Sequence, residues 1–122
     1  MIDKDKLHDA LRQMGKKHVK PQYRDQWTPE RPTTGYCYPV AEVVYHYLAP
    51  KGSRPYVMET GSNEKHWFIK GPNGNIIDPT ADQFDEDEHV DYETAKPQNF
   101  LTPQISKRGK MLAELLGLTE RD

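Results

Sequence analysis

Apolar residues recur along this chain in four distinct rhythms, and each predicts an element. Over residues 3–19, Leu7, Leu11 and Met14 stand one helical turn apart with charged residues between them, the pattern of an amphipathic helix. Asp3 is its expected N-cap, and Pro21 ends the pattern. In residues 37–48, Val40, Ala41, Val43, Val44, Tyr47 and Leu48 leave little polar surface, so this helix is expected to be buried on most faces. Pro39 falls in its first turn, where a missing N–H is tolerated. Pro50 and Gly52 stop it.

Residues 55–60, 66–70 and 75–78 read as strands, the last two joined by Gly71-Pro72-Asn73-Gly74. Asn-Gly between two apolar runs is a strong hairpin signal. Residues 106–117 predict a final helix, capped by Ser106, with Met111, Leu112, Leu115 and Leu116 inward and Gly117 as its stop. Between these elements lie two loop-like stretches, a proline-punctuated one at 20–35 and an acidic, proline-containing one at 79–104. The order of helix, loop, buried helix, three antiparallel strands, loop and helix predicts an α+β fold, with helices packed on a small antiparallel sheet.

The chain has 122 residues, a length that suits one domain spanning 1–122. With 34% of residues hydrophobic and 30% charged, the core must be small and most of the chain must face water. A net charge of −2 and a pI near 6.2 give no electrostatic footing for nucleic acid. No apolar run approaches the length of a membrane span, and Met-Ile-Asp-Lys-Asp-Lys at the N-terminus lacks the apolar centre of a signal peptide. Only one cysteine is present, so an intrachain disulfide and a cysteine-rich zinc site are both excluded, and a reducing, cytoplasmic setting is expected. His8, His18, His46 and His89 have no partners at ligand spacing; no metal or cofactor is expected.

Candidate chemistry gathers at three residues. Cys37 opens the buried helix, where unpaired N–H groups and the positive end of the helix dipole favour a thiolate. His66 begins one strand of the hairpin and Asp78 ends the other. Four or five residues from the turn on adjacent strands, their side chains can meet across the ladder. A carboxylate beside an imidazole fixes its tautomer and stabilises its charged form. Nucleophile, base and orienter are the parts that acyl transfer needs.

The order Cys37, His66, Asp78, the cysteine at a helix start, and the hairpin His66-Trp67-Phe68 … Gly74-Asn75-Ile76-Ile77-Asp78-Pro79-Thr80 resemble the transglutaminase-like branch of the papain-like cysteine fold. The stretch Asp78-Pro79-Thr80-Ala81-Asp82-Gln83-Phe84 is also similar to a signature of small phage and bacterial proteins. The resemblance implies a papain-like minimal core and a thiol acyl-enzyme acting on a peptide, protein or small amide, by hydrolysis, deamidation or amine transfer. Its alternative is a non-catalytic binding protein on the same fold, a phage factor acting on a host component. Papain-like enzymes carry a glutamine shortly before the nucleophile; here Gln22 and Gln26 are the nearest upstream, eleven or more residues away. Oxyanion or substrate contacts are therefore sought among Gln22, Gln26, Trp27, Tyr36 and Trp67, with the Cys37 amide. Lys107, Arg108 and Lys110 sit in the first turn of the last helix, where cations oppose the dipole. Such a placement marks them as candidates for anion binding. The run Asp85-Glu86-Asp87-Glu88 reads as a solvated loop or a docking surface for a basic partner.

Overall fold

Asp3 starts the first helix as its spacing predicts: its carboxylate accepts the Asp5 and Lys6 amides at 2.9 and 3.2 Å. Helix α1 (Lys4–Met14) buries Leu7, Ala10, Leu11 and Met14. It ends five residues before the expected boundary at residue 19. Gly15 takes a positive φ of 74° and returns its N–H to the Leu11 carbonyl, so the chain leaves the helix there and continues as the short 3-10 turn Lys16–His18. The computed structural model describes residues 2–60, 64–84 and 91–118. The acidic run 85–88 and His89 lie outside the described residues.

The predicted buried helix forms as α2 (Cys37–Val43), followed without a break by a π-helical turn, Val44–Leu48. The Ala49 N–H closes that wider turn on the Val44 carbonyl at 2.7 Å. Strands β1 (Arg54–Thr60), β2 (Glu64–Lys70) and β3 (Ile76–Ile77) match the three expected strands, with β3 reduced to two residues. The Gly74 N–H to Gly71 carbonyl bond of 2.9 Å closes the turn between β2 and β3. A fourth strand, β4 (Lys96–Pro97), lies in what the sequence predicts as loop. It pairs Tyr56 with Pro97 and Val57 with Lys96. The antiparallel sheet has the order β3-β2-β1-β4. Helix α3 (Lys107–Leu115) completes an α+β fold of three helices and a four-stranded sheet.

Both faces of β2 are covered. Trp67 and Ile69 point into the main core, formed with Leu11 of α1, Val40 and Val43 of α2, and Leu112 of α3. His66 and Phe68 alternate to the opposite face and are equally buried. Phe84 and Tyr92, from the long connection after β3, close over that second face with their rings edge-on to His66 at 4.8 Å and to Phe68 at 5.0 Å.

One buried charge ties α2 to α3. Glu42 is fully buried among Val40, Ala41, Val43 and Val44. Its Oε2 accepts the Ser106 amide at 2.8 Å, and its Oε1 accepts the Ser106 hydroxyl. Ser106 in turn accepts the Gly109 amide at 3.1 Å. A carboxylate at a helix N-terminus lies at the favourable end of the dipole. Burial nonetheless raises the Glu42 carboxyl above its ordinary range, against the two Ser106 hydrogen bonds and the Arg108 charge, which pull it down. Gly109 leaves the room this needs, since a Cβ there would stand 2.9 Å from Glu42 Oε1 and 2.7 Å from Ile105 Cγ1.

Candidate active site

The turn that delivers Cys37 is built on Gly35, which has a φ of +78°. A Cβ there would fall 2.6 Å from Val19 Cγ1, so only glycine lets the loop pass this close to the segment after α1. Tyr36 follows, fully buried, its hydroxyl donating to the Gly15 carbonyl. Burial pushes that phenol up to about 12. Tyr36 is thus an anchor that sets where α2 begins. Cys37, the first residue of α2, is half-buried. The amides of Cys37 and Tyr38 have no acceptor within the helix, as in any first helical turn, and Pro39 has no amide to add.

His66 and Asp78 meet as expected. His66 Nε2 is 2.7 Å from Asp78 Oδ2, with side chains only 1% and 3% exposed. They are diagonal rather than directly opposite: Ile69 pairs with Ile77, and continuing that register sets Asp78 against Phe68, one step along the same face from His66. Two further donors hold the carboxylate, the Tyr92 hydroxyl at 2.7 Å on Oδ2 and the Thr80 hydroxyl at 3.2 Å on Oδ1.

On the other side of the ring, Gln83 Nε2 lies 3.3 Å from His66 Nδ1, and Cys37 lines the same cleft as His66. The same Gln83 nitrogen donates to the Thr80 carbonyl at 3.1 Å. In the neutral form of the ring, the Gln83 amide nitrogen donates to the Nδ1 lone pair and Nε2 carries the proton given to Asp78. Burial pulls the imidazole down, but the hydrogen bond and charge of Asp78, reinforced by Cys37, outweigh it and raise His66 to about 9. Tyr92 is raised too, by burial and then by its bond to Asp78 and that carboxylate's charge, so it stays a donor. The Cys37 sulfur also lies 3.8 Å from the Lys65 carbonyl, a long S–H···O contact.

Cys37, His66 and Gln83 open on a cleft of about 310 Å³. Of the five residues proposed for oxyanion or substrate contact, Gln22 and Trp67 line it. Gln26 is exposed elsewhere, and Trp27 donates its indole N–H to the Pro32 carbonyl at 2.9 Å, away from the cleft. Tyr36 is sealed in the core. The three expected anion-binding cations are separated. The α3 N-terminus already receives the Glu42 carboxylate, Lys107 and Lys110 are exposed, and Arg108 alone reaches the cleft. Among the described residues no group of three or more His, Cys, Asp or Glu side chains is arranged to hold a metal, and no helix is long and apolar enough to cross a membrane.

Gln83 and Tyr92 carry no role in the sequence reading. Gln83 sits in the Asp78–Phe84 signature, on the 3-10 turn Ala81–Gln83. Asp82 in that turn braces it against α1 and the loop before α2, accepting from His8 at 2.8 Å and from the Thr33 hydroxyl at 2.7 Å. Tyr92 comes from a separate short turn, and no local pattern announces it.

Fold and site together define an α+β protein in which Cys37 and His66 line one cleft and Asp78 is hydrogen-bonded to His66. A family model described as YunG protein matches residues 3–116, and the chain belongs to that family. No curated protein and no solved structure matches it.

Removing the Tyr92 hydroxyl separates its roles. Tyr92→Phe is expected to cost about 1.5–3 kcal/mol in denaturant unfolding, the range for a hydrogen bond to a charged group. It should also shift the His66 titration upward, because Asp78 loses a competing donor. A downward shift, read by NMR of the imidazole, would contradict this.

Proposed function

We propose that this protein is a cysteine-dependent acyl-transfer enzyme of papain-like, transglutaminase-like type, acting on an amide or ester. One observation supports the reading above all: Asp78 holds the buried His66 ring at 2.7 Å, and Cys37 and His66 line the same cleft. In the proposed reaction Cys37 Sγ, its proton already carried by His66, attacks the substrate carbonyl carbon as the thiolate. In this reading the Cys37 and Tyr38 amides receive the developing oxyanion. His66 then protonates the departing nitrogen or oxygen, the C–N or C–O bond breaks, and a thioester remains on Cys37. Water or an amine, deprotonated by His66, attacks the thioester and returns the thiol. Asp78 keeps the ring in the required tautomer throughout.

A second reading, a binding protein that keeps the cleft without the chemistry, draws on two contacts. The Gln83 amide occupies the His66 Nδ1 lone pair, and the thiol leans on the Lys65 carbonyl. For catalysis both contacts must yield to the Cys37–His66 proton transfer.

Alkylation by iodoacetamide at neutral pH tests the two readings. Under the first, Cys37 reacts faster than a simple thiol and His66→Ala removes the excess. Ordinary reactivity in both proteins would leave the binding reading.

A further inference from the structure

We propose that the cleft selects acyl substrates carrying a carboxylate near the reacting carbonyl, with Arg108 as the residue that recognises it. This rests on the thiol chemistry proposed above and adds the charge of the substrate.

The charged residues lining the cleft are unbalanced. Lys20, Lys65 and Arg108 line it from three separate segments, while Glu64 is its only acidic lining residue among those described apart from the reacting groups. None of the three cations has a carboxylate within 4.0 Å among the described residues, whose ion pairs join Lys4 and His8 to Asp82, Arg12 to Asp9, and His66 to Asp78. The two lysines are exposed, and their chains are free to reorient. Arg108 differs. It is half-buried, and its Nη1 donates to the His18 carbonyl at 3.2 Å. That bond fixes the guanidinium against the segment after α1. Its remaining N–H groups have no protein acceptor among the described residues. A planar fork held at one corner and uncommitted at the others suits a bidentate anion.

Glu42 does not account for Arg108. Both Glu42 oxygens are taken by Ser106, and Arg108 acts on that carboxylate only through its field. A cation in the first turn of α3 opposes the helix dipole, so its position there is not a local preference of the helix. The position does bring a fixed positive charge to the wall of the cleft that Cys37 enters. On the wall of a cleft whose charged lining residues are mostly cations, such a charge attracts an anion more strongly than it would on an open surface.

The test compares two alkylating reagents of one shape, N-iodoacetylglycine and N-iodoacetylglycinamide, which differ by a single negative charge. 2-Mercaptoethanol supplies the reference ratio of their rates. At low ionic strength the protein should favour the anionic reagent several-fold relative to that reference. Arg108→Gln should reduce the ratio by about threefold or more, and about 1 M salt should move it the same way. The His66 imidazolium also attracts anions, and the Arg108→Gln comparison separates the two contributions. A wild-type ratio equal to that of 2-mercaptoethanol would overturn the proposal, as would a ratio unmoved in folded Arg108→Gln. If that variant does not fold, Arg108→Met and the wild-type salt series give the same readout, and a flat result in both overturns it. Rapid, His66-dependent reaction of the neutral reagent without charge preference sinks only this inference. Slow reaction of the neutral reagent, indifferent to His66→Ala, sinks the enzyme reading as well.

Discussion

Asparagine at position 78 should slow alkylation of Cys37 at pH 7 by about tenfold or more, and lower turnover of any amide substrate by about a thousandfold or more. The substitution keeps the shape of the buried side chain: an amide oxygen can still accept from His66, and its nitrogen can meet the Thr80 hydroxyl. What it removes is the charge. Burial then acts on the imidazole with little opposition, and the His66 titration should fall from about 9 by at least about one unit. The same shift appears in stability. A histidine raised from 6.5 to about 9 on folding stabilises the fold fully below pH 6.5, and that contribution is lost as pH rises through 9. Wild-type stability should therefore decline across that window, and Asp78→Asn should decline less. NMR of the imidazole and denaturant midpoints at several pH values measure both. Labelling of Asp78→Asn at the wild-type rate would remove Asp78 from the chemistry.

The largest structural penalty is expected at Glu42. Glu42→Ala leaves the Ser106 amide and hydroxyl facing a dry gap and breaks the link between α2 and α3. Leaving donors without their acceptor costs about 1–3 kcal/mol each, a large share of the roughly 5–15 kcal/mol that holds a domain folded. Glu42→Gln should be milder but still costly, because only one of its two head-group atoms can accept a hydrogen bond. Since α2 also carries Cys37, partial loosening should slow alkylation before global unfolding is seen. An alanine variant with wild-type unfolding free energy would show that the Ser106 contacts contribute nothing net.

The residues at the centre of the site were legible because each sits on an element with a strong local signal. Asn73-Gly74 fixes the hairpin and so brings His66 near Asp78, and the apolar run after Cys37 declares a buried helix. What surrounds them was not legible, for separable reasons. Tyr92 reaches Asp78 from a turn with no periodicity, and β4 is two residues long, too short to alternate. Gln83 lay in a recognised stretch, but its role depends on an amide orientation that only the Thr80 carbonyl and the His66 ring define together. Two features did leave a trace. Gly15 directly after Met14 is a helix stop of the kind accepted at Gly117, and a lone Glu42 among valines required a buried partner. At α3, dipole reasoning sees a vacant helix end and cannot see a carboxylate arriving from sixty-four residues earlier in the chain; of the three cations singled out there, only Arg108 reaches the cleft.

The short strand β4 has a further consequence for behaviour at high concentration. Its two residues are a lysine and a proline, one charged and the other without an amide hydrogen to offer a passing chain. A neighbouring molecule finds almost no template for stacking along that rim. Ribbon-like self-assembly is discouraged there even though the sheet behind it is rich in aromatic side chains.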